Sequence, residues 1–184
     1  DKEGIATLDG IPHGTKVTIT EKSVPAPYTI DTIAMTATIK AGETIFMTSK
    51  NTREKGQIIL DKTGIETGSD LWNDNYSLAG NTFAIRKDSP TGEIVQEMTT
   101  DEKGHAETPK EIANALELGT YYVTETKASN GFVNTFKAVK VELKYANQTV
   151  ALVTSNIKGQ NQEITGETTL IKEDKDTGDK TQGR

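Results

Sequence analysis

Three polar side chains with complementary chemistry each end a segment that alternates apolar and polar residues. Side chains alternate between the two faces of a strand. By this alternation Lys62, Glu125 and Asn156 each continue the apolar face of their own segment. The sequence therefore predicts an amine, a carboxyl group and a carboxamide on the buried sides of three strands.

Burial changes what these groups can do. Desolvation disfavours charge, so it lowers the pKa of a buried lysine and raises that of a buried glutamate. A neutral amine is a nucleophile, and a protonated carboxyl group can polarise an amide. The amine of Lys62 could then attack the side-chain amide carbon of Asn156, releasing ammonia and leaving an isopeptide bond. This single-turnover reaction needs no cofactor and no metal, and we expect no enzymatic activity on external substrates.

Each residue has a simpler interpretation when taken alone. A lysine at a strand end usually reaches solvent, a glutamate there pairs with it, and an asparagine caps a turn. Recurrence favours the functional interpretation, because Glu21, Asn51 and Lys172 also continue apolar faces at related positions. They are interpreted as partial flanking sites.

An internal repeat organises the chain. Residues 1–22 resemble 101–127, and residues 48–62 resemble 154–172, so the offset is close to a common domain size. The predicted organisation is the C-terminal part of a preceding repeat at 1–51, a complete domain at 52–158, a linker at 159–165, and the first strand and turn of a following repeat at 166–184.

The elements that would position these residues are short strands. Segments rich in threonine, valine and isoleucine recur between glycine- and aspartate-rich turns, which is typical of an all-β sandwich. One helical segment is expected at 108–118, where Thr-Pro precedes good helix formers.

Four motifs resemble a known family. They are GQIILDKTG, LAGNTFAIRKD, LGTYYVTETKASNGF and VTSNIKG, the last at 153–159. Together they resemble the CnaB-type, SpaA-like repeats of Gram-positive cell-wall-anchored adhesins and pilins. The resemblance implies an Ig-like or prealbumin-like sandwich in tandem repeats. It also implies a self-formed isopeptide bond between Lys62 and Asn156, assisted by Glu125.

The resemblance also predicts where the protein is located and what it does. It implies a secreted, cell-wall-anchored stalk repeat whose partners are neighbouring repeats of the same chain. The alternative is a ligand-binding sandwich that recognises a host matrix protein or glycan through loops such as the one at Trp72. That tryptophan is the only one in the chain, and covering the end of the core is its simpler role.

Composition excludes several other classes. A net charge of −6 argues against nucleic-acid binding, which needs a basic surface. The chain has no cysteine, so disulfides and thiolate metal sites are excluded, and its two histidines are far apart. No apolar stretch is long enough to predict a membrane span.

Overall fold

A computed structural model describes residues 3–178 of the chain. The last six residues of the predicted following repeat and the first two of the preceding one lie outside the described residues. The described strands before the central domain are β1 Lys16–Ile19, β2 Tyr28–Thr29, β3 Met35–Thr38 and β4 Thr52–Arg53. Those of the central domain are β5 Lys55–Gly64, β6 Thr82–Lys87, β7 Ile94–Thr99, β8 His105–Glu107, β9 Leu116–Glu117, β10 Gly119–Lys127, β11 Phe132–Val133, β12 Val139–Leu143 and β13 Leu152–Glu163.

Two sheets form the central domain. One is antiparallel with the strand order β12-β10-β6-β7. The other has the order β11-β13-β5-β8, with β9 paired to a further stretch of β5. Its central pair, β5 and β13, is parallel, so the first and last strands of the domain lie side by side and run the same way. The predicted all-β sandwich is confirmed.

The core lies between the two sheets. Ile58 and Leu60 of β5 face Phe83 and Ile85 of β6 and Val123 of β10, and all five side chains are fully buried. These residues supply the alternating inward positions that the sequence pattern indicated. Each buried aliphatic or aromatic side chain contributes roughly 1.5–3 kcal/mol through removal of apolar surface from water.

The helical segment expected at 108–118, one or two turns within a connection, is limited to one turn. The segment contains one turn, closed by a hydrogen bond from Ala115 N to Glu111 O, and then enters β9. The cause is a contact with a strand that is distant in the sequence. Thr108 exchanges hydrogen bonds with Ile58, its N–H donating to the carbonyl and its hydroxyl accepting from the N–H. This bonding to β5 holds the start of the segment extended, against its helical propensity.

The predicted domain end at residue 158 and the linker at 159–165 also need correction. Strand β13 continues to Glu163, because its last residues pair with β5 on one side and with β11 on the other. Residues 159–163 therefore belong to the central sandwich.

The N-terminal unit is a smaller structure. Strands β1 and β3 form a two-stranded antiparallel sheet, and β2 pairs with β4 at the entrance to the central domain. Leu8, Ile33 and Phe46 of this unit are 75% or more exposed. Within residues 3–178 no other strand pairs with β1 or β3, so both outer edges of this sheet are unpaired.

The two units meet at the loop between β12 and β13. Gln148 O accepts a hydrogen bond from Ile30 N at 2.8 Å, and its side-chain oxygen accepts one from Val24 N at 3.2 Å. On the other side of the junction, Glu54 N donates to Pro27 O at 2.8 Å. These hydrogen bonds therefore hold the connection between the N-terminal unit and the central domain. No helix in the described range is long and apolar enough to cross a membrane.

The packing predicts a clear contrast between two leucine substitutions. Leu60→Ala removes a fully buried side chain and should lower the free energy of unfolding by about 2–5 kcal/mol. Leu170→Ala, at a side chain that is 91% exposed, should change it by less than about 0.5 kcal/mol. Chemical denaturation followed by circular dichroism measures both, and equal effects would contradict the core described above.

Candidate functional site

Lys62 is buried in the centre of the sandwich. It lies near the end of β5, on the same face as Ile58 and Leu60, and only 1% of its surface is exposed. Its Nζ has no hydrogen-bond partner within the part of the chain that the structure describes. The amine lies 5.9 Å from the centre of the Phe136 ring, which packs edge-on against Phe83. Such an amine lacks water and acceptors, so its proton is weakly held.

Glu125 and Asn161 form a hydrogen-bonded pair beside this amine. The Nδ2 of Asn161 donates to both carboxylate oxygens of Glu125, each at 2.9 Å. The Oδ1 of Asn161 accepts a hydrogen bond from the backbone N–H of Thr135 at 3.1 Å. Both polar ends of the buried carboxamide are thus engaged. Its orientation is set by an acceptor on one side and a donor on the other.

The structure corrects the predicted amide residue. Lys62 pairs with Gly159 across the parallel strands, and Asn161 lies two residues further along β13, so it shares the inward face. Asn156 pairs with Ile59, whose side chain lies on the opposite face from that of Lys62, and Asn156 is exposed. A difference of one residue in alternation moves a side chain to the other side of a sheet. The register therefore places Asn156 away from Lys62, and the carboxamide on the same face as the amine is that of Asn161.

A signal for Asn161 was present in the sequence. Asn51 lies eleven positions before Lys62, and Asn161 lies eleven positions before Lys172. The repeat interval that relates the two lysines therefore also relates these two asparagines. The error arose because the last strand was expected to end at residue 156, whereas β13 continues for seven more residues.

Burial shifts the pKa values of both the amine and the carboxyl group of the site. Desolvation lowers the pKa of Lys62 to about 8, although Glu125 and Glu163 act in the opposite direction. Desolvation also raises the pKa of Glu125, against the smaller effects of its hydrogen bond from Asn161 and of the charge on Lys62. The pKa values of amine and carboxyl group are thereby drawn towards each other. Burial thereby reduces the free-energy cost of moving a proton from the amine to the carboxylate.

Glu163 was not predicted from the sequence. It is 2% exposed, and its carboxylate accepts hydrogen bonds from the N–H and hydroxyl of Thr67 and from Glu66 N, at 2.8–3.3 Å. Burial by itself would raise its pKa, but these hydrogen bonds outweigh it, so the pKa is lowered. Glu163 therefore remains ionised and ties the end of β13 to the turn after β5.

Comparison with known proteins identifies the domain. The sequence profile of SpaA, a prealbumin-like fold domain, matches residues 56–158, which is more than half of the chain. The chain belongs to this family. No curated protein sequence matches it.

Three solved structures show what the chain is similar to. The Bacillus anthracis TIE protein is similar at 27% identity with a TM-score of 0.61, over 88% of this chain and 28% of that one. The major pilin subunit of Bacillus cereus, BcpA, matches at 27% identity and a TM-score of 0.38, over 58% of this chain and 29% of its own. The major pilin SpaD of Corynebacterium diphtheriae matches at 25% identity and a TM-score of 0.39, over 60% of this chain and 30% of its own. The chain thus spans less than a third of each of these proteins.

The unit that precedes the SpaA domain repeats part of the site. The Nδ2 of Asn51 donates to Glu21 Oε2 at 2.7 Å, and the same oxygen accepts from Asp31 N at 2.7 Å. The structure therefore brings together Glu21 and Asn51, as it does Glu125 and Asn161. Lys172 lies in the exposed segment that follows β13.

Trp72 lies at the edge of the SpaA domain and is 48% exposed. Its ring packs edge-on against Tyr76 at 5.3 Å, and Tyr76 packs in turn against Phe132 at 5.8 Å. The hydroxyl of Tyr76 donates to Ile164 O. Through Tyr76 the tryptophan is connected to the buried Phe132, while nearly half of its own surface stays exposed.

The lowered pKa of Lys62 predicts how the stability of an unreacted SpaA domain depends on pH. Asn161→Ala keeps Lys62 but removes the carboxamide. The folded pKa is about 8 against 10.5 for an ordinary lysine, so between these values the unfolded chain binds more protons. The free energy of unfolding should therefore rise as pH increases through this range. Urea denaturation at several pH values measures the slope.

The double variant Lys62→Met, Asn161→Ala is the control for this measurement. Methionine has a similar length and no charge, so the contribution of residue 62 to the slope should disappear. Identical slopes in the single and double variants would show that Lys62 has no depressed pKa.

Proposed function

We propose that this chain is a stalk segment of a cell-wall-anchored adhesin or pilin of a Gram-positive bacterium. In this proposal its central domain is locked by a self-formed isopeptide bond between Lys62 and Asn161. The observation that carries it is the buried amine without a hydrogen-bond partner beside the Glu125–Asn161 pair. A lysine buried without a partner destabilises a fold, so its presence here calls for a functional explanation.

The reaction begins with a proton transfer. The ammonium of Lys62 gives a proton to the carboxylate of Glu125, which leaves a neutral amine and a carboxylic acid. The amine nitrogen then attacks the side-chain carbonyl carbon of Asn161, and negative charge develops on Oδ1.

The leaving group is the carboxamide nitrogen of Asn161. Glu125 lies within hydrogen-bond distance of this nitrogen and gives it the proton, then accepts one from the attacking nitrogen. The C–N bond to Nδ2 breaks and ammonia departs. The new amide keeps one hydrogen on the former lysine nitrogen, and Glu125 ends protonated, so atoms and charge balance. The domain reacts once and turns over no external substrate.

The bond would act on stability and on mechanics. By the chain-entropy argument used for disulfides, closing a loop of about 100 residues stabilises by roughly 4–5 kcal/mol. Tension on the chain enters at the start of β5 and leaves at the end of β13. A bond between Lys62 and Asn161 carries that tension directly from one strand to the other, so the other strands of the sandwich bear none of it.

Tandem repetition extends this role along the chain. The Glu21–Asn51 hydrogen bond and the position of Lys172 support partial sites in a preceding and a following repeat. Neighbouring repeats are then the partners of the central domain, and the hydrogen bonds of Gln148 join one repeat to the next. Membership of the SpaA family, whose resemblance implies cell-wall-anchored adhesins and pilins, supports placement at the cell surface.

Ligand recognition through the loop at Trp72 has weaker support. Its ring packs edge-on against Tyr76, and Trp72 lines neither the cleft beside Tyr121 nor the cleft beside Ile19. The cross-linked stalk accounts for the buried polar residues, which a binding loop leaves unexplained.

Intact-mass spectrometry of the purified chain tests the cross-link. The wild-type chain should weigh one ammonia less than its sequence mass. Lys62→Ala, Asn161→Ala and Glu125→Ala should each restore the full mass, since they remove the nucleophile, the amide and the acid. Tryptic digestion should yield one branched peptide that joins residues 62 and 161.

Asn156→Ala provides the matched control. This asparagine lies on the same strand but on the exposed face, so its variant should keep the mass deficit. A wild-type mass equal to the sequence mass would refute the cross-link. A deficit lost in Asn156→Ala but kept in Asn161→Ala would refute the assignment of the residue.

A further inference from the structure

The reaction proposed above creates a negative charge on an oxygen buried inside the sandwich. An oxyanion in such a place needs a hydrogen-bond donor that is already in position. Glu125 faces the nitrogen of the Asn161 carboxamide and thus the leaving group. The donor to the oxygen must come from elsewhere.

We propose that the backbone N–H of Thr135 is the oxyanion donor for isopeptide formation. This N–H donates to Asn161 Oδ1 at 3.1 Å, the oxygen on which charge develops when the adjacent carbon is attacked. Its hydrogen bond strengthens as the oxygen becomes an anion, because charge-assisted bonds are stronger than neutral ones. The inference rests on the cross-linking function proposed above and assigns it a further group.

The segment that carries this N–H is held from three sides. The side-chain amide of Asn134 donates to Glu125 O at 3.1 Å, and the hydroxyl of Thr135 accepts from Gln162 N at 3.0 Å. The next residue, Phe136, places its ring over the amine of Lys62 and against Phe83. The three consecutive residues therefore contact the strands of the acid, the amide and the nucleophile in turn.

A missing side chain makes room for this arrangement. Gly159 pairs with Lys62 across the sheet, and a Cβ on it would collide with the ring of Phe136. Glycine at this point lets the ring close over the lysine. The same closure fixes the backbone of residue 135 above Asn161. The donor is thus in place before the reaction, as electrostatic catalysis requires.

An amide-to-ester substitution tests the donor without altering a side chain. The α-hydroxy analogue of threonine at position 135 replaces the N–H with an oxygen. Each chain, the wild type included, is assembled from synthetic segments in denaturant, so it first folds, and can first react, on dilution. Mass spectrometry then follows the loss of ammonia, while the fluorescence of Trp72, the only tryptophan, follows folding. We expect the ester to slow the loss by about 100-fold or more while folding stays unchanged.

Thr149 supplies the matched control. Its backbone N–H also donates to an asparagine side-chain oxygen, Asn147 Oδ1 at 2.9 Å, in the loop between β12 and β13. An ester at 149 should leave the rate of ammonia loss at the wild-type value. Equal rates for the ester at 135 and the wild type would overturn the inference while the cross-link stands. A wild-type chain that never loses ammonia would overturn the proposed function itself.

A second measurement serves if the ester at 135 prevents folding. In Lys62→Met, which cannot react, the amide hydrogen of Thr135 should be protected from exchange with deuterium. Adding Asn161→Ala removes the acceptor and should abolish that protection. Fast exchange of this amide in Lys62→Met would also overturn the inference.

Discussion

The burial of one amine governs the organisation of this domain. Lys62 occupies a position in the core where a leucine or isoleucine would stabilise more, and it has no hydrogen-bond acceptor there. Water cannot reach the amine, so its pKa falls to about 8. The elements around Lys62 supply an aromatic cover together with the acid and the amide that the proposed cross-link would use.

Parallel pairing of β5 and β13 brings together the groups of the proposed cross-link. Antiparallel strands can be joined by a short turn, whereas a parallel pair needs the chain to cross over. Here the crossover is the remainder of the sandwich, so the first and last strands become neighbours. Their register sets Lys62 and Asn161 on one face two positions apart, and β10 supplies Glu125 from the opposite sheet. A bond at this point joins the entry and exit of the domain.

The two acidic side chains near Lys62 take different roles because their hydrogen bonds differ. Glu163 accepts several hydrogen bonds from the turn after β5 and stays ionised. Glu125 is bonded only to the Asn161 side chain among the contacts of its carboxylate, and burial raises its pKa. Separation of pKa values by environment is a general way to distinguish an acid from a structural carboxylate. In the proposed reaction Glu125 would be the group that exchanges protons with the amine.

The sequence by itself determined the sandwich and the burial of Lys62, because alternation along a strand is a local property that side-chain types record. The family followed from four motifs that resemble it. The sequence could not determine which asparagine faces the lysine. Alternation leaves the inward face undecided until a partner strand fixes the register, and β13 turned Asn161 inward and Asn156 outward. The same applies to residues 108–118, where hydrogen bonds to β5 overrode helical propensity. Glu163 and the N–H of Thr135 likewise depended on contacts between distant segments, which only the tertiary structure decided.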